Sequence, residues 1–120
     1  MATGNKKTTT DYSNEQFLYL TTTGRKTGLP REIEIWFVER EGCLYVLAEH
    51  GYEAKWVQNV IANSSVTIRV SGKRWNAVGR MLDSTHDADL YLEVQALARN
   101  KYGWGAGLPV EFRLQEQLQD

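Results

Sequence analysis

The sequence predicts an α+β fold, mainly an antiparallel sheet of six strands with two helices, in the order β-β-β-α-β-β-α-β. Most apolar residues fall into short runs rich in β-branched and aromatic residues, which are typical of strands. Glycine-containing turns join several of these runs, as in antiparallel hairpins. Strands and helices do not alternate, which excludes a doubly wound fold. In 120 residues, we expect such a sheet to close into a barrel, because closure removes its edges.

The second strand has a clear alternation of its two faces. Ile33, Ile35 and Phe37 share one face, and the opposite face turns from polar at Glu32 to apolar at Trp36. Alternation of this kind predicts a strand with one buried face. The six strands are predicted at Phe17 to Thr23, Arg31 to Arg40, Cys43 to Glu49, Ser65 to Ser71, Arg74 to Leu82 and Pro109 to Gln115.

Two segments have the spacing of apolar residues that is typical of helices. The first is Ala54 to Ala62, a short helix after the third strand. The second begins after Ser84, which we interpret as its N-cap, and Asp87 three residues later supports that start. It runs to about Lys101, and Gly103 ends it.

Length and composition predict one ordinary globular domain. The apolar fraction of 42% and the charged fraction of 24% are those of a folded globule rather than a disordered chain. We expect a polar, flexible N-terminal tail over residues 1–12 and a single domain over residues 13–120. The net charge of −1 argues against a nucleic-acid partner.

The single cysteine, Cys43, allows no intrachain disulfide and no cysteine-based zinc site, which fits a reducing compartment. We find neither an apolar leader nor a membrane-spanning run. The expected location is therefore the cytoplasm. The two histidines and Cys43 lack the spacing of metal ligands, so we expect no metal site.

Two glycine-rich motifs fail as nucleotide-binding signatures. In the segment from Gly103 to Gly107, the third glycine of a dinucleotide fingerprint is replaced by Leu108, and a helix rather than a strand precedes it. The segment from Gly24 to Gly28 lacks the spacing and the final Gly-Lys-Thr order of a P-loop.

That second segment is still a plausible anion cradle. Gly24 and Gly28 would let backbone N–H groups approach a ligand closely. Basic side chains and hydroxyls around them supply charge-assisted hydrogen bonds of the kind that phosphate requires. The alternative is a solvated basic turn. The basic and hydroxyl residues are Thr23, Arg25, Lys26, Thr27 and Arg31.

The run LTTTGRKTGLPR (residues 20–31), followed by a strand with Trp36, resembles the deazaflavin-dependent nitroreductase family. LYVLAE (44–49) is similar to the third strand of that family, and KWVQNVIAN (55–63) to its W-x-x-N-(L/V)-x-A-N helix. The resemblance implies a split β-barrel oxidoreductase that transfers a hydride from reduced coenzyme F420, a deazaflavin, to a nitro compound, a quinone or an activated alkene. A homodimer is the expected assembly, because one strand face is partly apolar and twofold dimers are the commonest oligomers.

The resemblance assigns roles to individual residues. Tyr102 and Trp104 would bind the substrate, and Tyr102 is the first candidate for a proton donor. The residues implied for coenzyme binding are Gly24, Arg25, Lys26, Thr27, Gly28, Arg31, Trp36, Lys55, Trp56 and Asn59.

Two other functions stay open at this point. The same barrel could hold FMN as a flavin reductase or oxidase, because FMN also needs a phosphate cradle. The barrel could instead bind a cofactor or small ligand without catalysis. For Trp36 and Asn59, packing and a helix-to-strand hydrogen bond are the alternatives to a role in the site. The loop after the third strand, His50 to Ala54, is more compact and more acidic than is usual in the family.

Overall fold

A computed structural model describes residues 11–119 of the chain. Across that range it contains seven strands and two helices, with a short 3-10 turn at Gly51–Glu53 before the first helix. The strands are β1 (Phe17–Thr23), β2 (Pro30–Trp36), β3 (Val38–Arg40), β4 (Cys43–Ala48), β5 (Ser65–Val70), β6 (Lys73–Met81) and β7 (Leu108–Leu118). The helices are α1 (Lys55–Ala62) and α2 (Ala88–Tyr102).

All strand pairs are antiparallel, and the strands lie in the order β2-β1-β5-β6-β7-β4-β3. The two edge strands, β2 and β3, follow each other in the chain with only Phe37 between them. The sheet therefore has to curl until its two edges meet at that residue. The result is an α+β protein with a curled half-barrel, which confirms the predicted class and the antiparallel sheet.

The predicted strand over Arg31 to Arg40 is wrong in one respect, because it is two strands, and the described sheet has seven strands rather than six. The break lies at Phe37, which is buried. Its backbone N–H and C=O contact the hydroxyl of Tyr102 instead of a neighbouring strand. Before the break the chain pairs with β1, and after it with β4.

Helix α2 begins at Ala88, four positions after the predicted N-cap at Ser84. The intervening residues form a turn held by two carboxylates. The carboxylate of Asp83 accepts from the backbone N–H of Thr85 at 2.7 Å, and that of Asp87 accepts from the N–H of Asp83 at 2.8 Å. These bonds give the backbone an alternative to helix in this segment, so the helix starts later.

The other helix boundaries agree well with the sequence. Helix α1 covers Lys55–Ala62, one residue shorter than predicted. Gly103 ends α2 in the left-handed conformation, with φ +79°, and its N–H donates to the carbonyl of Arg99 at 2.8 Å. Glycine adopts this conformation without the penalty of a Cβ, which confirms the predicted stop.

The main core lies between the inner face of the sheet and α1, and a smaller core lies between α2 and the β3–β4 pair. Helix α1 approaches the sheet very closely at Gly79. A Cβ there would lie 2.8 Å from Val60 Cγ1 and 2.9 Å from the ring of Phe112. This contact sets the distance between α1 and the sheet. It therefore also sets the positions of Lys55 and Trp56, which lie on α1.

The predicted tail over residues 1–12 falls mainly on residues 1–10, which lie outside the described residues. Tyr12 does not fit that prediction, since its side chain is buried in the main core. Its hydroxyl accepts from Trp75 Nε1–H at 3.3 Å, and its backbone N–H donates to the carboxylate of Glu39. Tyr12 therefore belongs to the packed domain.

Between residues 11 and 119, neither helix has the length and apolar character needed to cross a membrane. In the same part of the chain, His, Cys, Asp and Glu side chains form no group of three or more that could hold a metal ion.

Candidate functional site

The loop between β1 and β2 folds back on itself and makes its own hydrogen bonds. Gly24 donates its N–H to the carbonyl of Leu29, and Gly28 donates to that of Gly24, each at 2.8 Å. Gly28 has φ +74°, where glycine is favoured. A Cβ on Gly24 would lie 2.8 Å from Thr27 Oγ1. The two predicted glycines are thus needed for the shape of the loop.

The hydroxyl of Thr27 makes its hydrogen bonds within the loop. Its hydroxyl oxygen accepts from the backbone N–H of Leu29 at 3.2 Å and from Arg31 Nη2 at 3.4 Å. The guanidinium of Arg31 is therefore held beside the loop, while the residue stays exposed.

Asn59 joins helix α1 to this loop. It is buried, and its Oδ1 accepts from the backbone N–H of Arg25 at 3.1 Å and from Arg25 Nη1 at 3.4 Å. Its Nδ2 donates to the hydroxyl of Thr22 on β1 at 3.1 Å. The side chain amide is thus engaged within the protein, and it fixes the position of the Arg25 guanidinium.

A cavity of about 500 Å³ lies between this loop, β2 and the start of α1. We call it the basic cavity, because four cationic side chains and no Asp or Glu occur among the described residues that line it. Its lining includes every predicted coenzyme residue except Gly28 and Trp36. These lining residues are Gly24, Arg25, Lys26, Thr27, Arg31, Lys55, Trp56 and Asn59.

A second cavity, of about 720 Å³, opens beside it along β2, the end of β4 and the end of α2. We call it the aromatic cavity, and Lys55 and Trp56 line both cavities. Its aromatic lining includes the predicted residues Trp36, Tyr102 and Trp104. The structure therefore places the predicted substrate residues, and all the predicted coenzyme residues except Gly28, around two cavities that share Lys55 and Trp56.

Trp36 and Tyr102 stack on each other in the aromatic cavity. Their ring centroids lie 4.3 Å apart and their planes differ by 4°. Trp36 is 41% exposed, so it forms an accessible aromatic surface. The hydroxyl of Tyr102 points to the backbone instead, and burial raises the pKa of this phenol above its usual value, although a hydrogen bond with Phe37 opposes the shift.

Sequence reasoning missed several residues of the aromatic cavity. Phe17 at the start of β1, and Glu49 and His50 after β4, line it. They share no motif, and they come together only because the sheet curls. Within β4, Tyr45 and Leu47 lie two positions apart, on the same face of the strand, and both line the cavity.

The chain matches the family model of F420H(2)-dependent quinone reductases over residues 1–114. It therefore belongs to the F420H(2)-dependent quinone reductase family, and it is an oxidoreductase that uses the deazaflavin coenzyme F420. This confirms the resemblance seen in the loop and in α1, and it decides between F420 and FMN, which the basic loop alone left open.

Solved structures show the same fold. One is an F420-H2 dependent reductase, FDR-A, with 23% identity, 83% of this chain and 94% of that chain covered, and a TM-score of 0.64. Another is HutZ, the heme storage protein from Vibrio cholerae, with 23% identity, 88% and 84% covered, and a TM-score of 0.66. A third, described as a domain-swapped dimer, has 23% identity, 83% and 80% covered, and a TM-score of 0.63. A comparison with curated proteins gives no match.

Proposed function

We propose that the basic cavity binds the anionic tail of coenzyme F420 and that the aromatic cavity holds its ring system next to a flat quinone acceptor. The observation that carries this proposal is that Lys55 and Trp56 line both cavities. One molecule with a charged tail and a planar head can therefore extend from one cavity into the other.

The lining residues fit the two ends of this coenzyme. Its tail carries a phosphate and glutamates, and Arg25, Lys26 and Arg31 supply cationic donors at one end of the site. Lys55 is the first residue of α1 and adds a fourth charge where the cavities meet. Planar rings stack well on exposed aromatic side chains, and Trp36 offers such a face.

When bound, reduced F420 supplies the hydride. The chain itself has three tasks. The basic residues hold the tail, the rings of Trp36 and Trp104 orient flat groups, and the apolar wall limits the access of water. The contacts of Tyr102 do not favour the predicted role of proton donor, because its hydroxyl is held by backbone groups.

The first test measures the binding of F420 to the purified protein by fluorescence titration. We expect Arg25→Ala combined with Lys26→Ala to weaken binding by about a hundredfold, since each lost charge-assisted bond is worth roughly 1.5 kcal/mol or more. The matched control is Lys73→Ala, an exposed lysine outside both cavities, which should bind like the wild type. Equal affinities of the double variant and the wild type would refute the placement of the tail.

The second test concerns the acceptor. Oxidation of F420H2 is followed with a naphthoquinone, a nitroaromatic compound and a cyclic enone. We expect the highest kcat/KM with the quinone, because both of its carbonyl oxygens and its ring plane suit a flat aromatic slot. A higher kcat/KM with the nitroaromatic compound would assign the protein to nitro reduction instead.

We also propose that the protein is a homodimer. Phe17 and Trp36 are 39% and 41% exposed at the mouth of the aromatic cavity, and a second copy could cover them. Twofold dimers are the commonest oligomers. Sedimentation equilibrium at micromolar concentration should give twice the mass of the 13.7 kDa chain. A single-chain mass at those concentrations would contradict this proposal.

A further inference from the structure

The junction between β2 and β3 is held by the end of helix α2. At this junction Phe37 leaves the strand ladder, so its backbone groups need other partners. Its N–H donates to the hydroxyl oxygen of Tyr102 at 3.0 Å. The hydroxyl hydrogen of Tyr102 faces two backbone carbonyls, those of Phe37 and Gln16, each 2.8 Å away. One phenol thus ties together α2, the junction and the segment before β1.

Lys101 acts on the same junction. Its Nζ donates to the carbonyl of Phe37 at 3.0 Å and to that of Glu15 at 2.6 Å. It also lies 4.3 Å from the centroid of the Phe37 ring, within the range of a cation–π contact. Two consecutive residues of α2 therefore satisfy both backbone groups of Phe37 and hold the chain that precedes β1.

The residue next to this junction is Trp36, which lines the aromatic cavity. Its indole stacks on the ring of Tyr102, the same residue whose hydroxyl holds the Phe37 backbone. At the end of this edge strand Trp36 pairs with Phe17 of β1, and its ring contact within the described residues is the stack on Tyr102. The direction of the indole therefore depends on α2.

We infer that Tyr102 and Lys101 are positioning residues that lock the β2–β3 junction through Phe37 and thereby hold Trp36 as a fixed wall of the aromatic cavity. The inference rests on the proposed function only where that wall is said to orient the acceptor. It replaces the proton-donor role for Tyr102 with a mechanical one, because the hydroxyl is bound to the backbone on both its donor and its acceptor side.

The test is Tyr102→Phe, which keeps the ring stack and removes the hydroxyl. Amide hydrogen exchange at Phe37, measured by NMR without coenzyme, should become about tenfold faster, because its N–H loses its acceptor. With 1,4-naphthoquinone and saturating F420H2, KM should rise about tenfold, whereas kcat and its pH profile should change little. The matched control is Tyr91→Phe on the same helix, whose hydroxyl makes no hydrogen bond with the described residues, and we expect no change in either quantity.

Two results would overturn the inference. A fall in kcat together with the loss of one limb of its pH profile, at unchanged KM, would make Tyr102 a proton donor. Unchanged exchange at Phe37 would show that the hydroxyl does not hold the junction.

If Tyr102→Phe fails to fold, Lys101→Met is the second variant. It keeps the phenol, and it should show the same two changes to a smaller extent. If the wild type does not reduce quinones, the proposed acceptor is wrong, but the exchange rates still decide whether the junction is locked.

Discussion

At the scale of single residues, the site contains two kinds of side chain: those whose polar atoms are hydrogen-bonded within the protein, and those whose polar atoms are available to a ligand. The amide of Asn59 is bound to the loop and to β1, the hydroxyl of Thr27 to the loop, and the hydroxyl of Tyr102 to the backbone. Lys26 and Lys55 make no such contact with the described residues and face the basic cavity. Residue type alone did not separate these groups, since an amide or a hydroxyl suits either role.

Asn59→Ala tests the holding role directly. The change leaves the backbone N–H of Arg25 and the buried hydroxyl of Thr22 without their partner, and we expect the free energy of unfolding to fall by about 1–3 kcal/mol. Binding of F420 should weaken by about tenfold, because the Arg25 guanidinium loses its fixed place. Urea unfolding and fluorescence titration measure the two effects. Asn76→Ala, an exposed amide on β6, is the control. Lower stability with unchanged affinity would show that the loop keeps its shape without the amide.

At the scale of the elements, local signals predicted most of what the structure shows. The ends of α1, the stop at Gly103 and the bounds of β1 follow from glycines and from the apolar pattern nearby. The break at Phe37 does not, because its cause is Tyr102, which lies far along the chain. The late start of α2 was missed because Asp83 competes with Ser84 for the same turn.

The packing of α1 on the sheet gives a prediction at this scale. Gly79→Ala places a Cβ 2.8 Å from Val60 Cγ1 and 2.9 Å from the Phe112 ring, so the packing between α1 and the sheet has to shift. We expect a loss of about 1–3 kcal/mol in the free energy of unfolding. Weaker F420 binding should accompany it, since Lys55 and Trp56 move with the helix. Equilibrium unfolding and titration of the same preparation check both. Wild-type stability in this variant would mean that the contact at Gly79 does not determine how α1 packs on the sheet.

At the scale of the whole molecule, the site exists because the sheet curls. Phe17, Trp36 and Trp104 come from an inner strand, an edge strand and the loop after α2, and they meet around one cavity. The basic loop could be found in the sequence because its residues are neighbours. The aromatic cavity could not be drawn in full, because its walls depend on the pairing of strands that are distant in the chain.

Coenzyme binding should stabilise the whole domain, since only the folded sheet brings the two cavities together. At an F420 concentration a hundredfold above Kd, the added stability is about 2.7 kcal/mol. For a domain of this size that corresponds to a rise in Tm of about 10 °C. Calorimetry with and without F420 measures the rise, and the Arg25→Ala, Lys26→Ala variant should lose most of it. A Tm that does not depend on F420 concentration would contradict the shared site.

The strand order also governs how the chain can fold during translation. β4 lies between β3, its neighbour in the chain, and β7, which is the last strand described. Residue Cys43 pairs with Arg113, and Ala48 with Leu108. A ribosome has therefore made almost the whole domain before β4 can find its second partner. Until then one side of β4 stays unpaired, and such open strands are prone to wrong pairing. The half-barrel is thus completed only after β7 has been made, and its cavities form at that same late step.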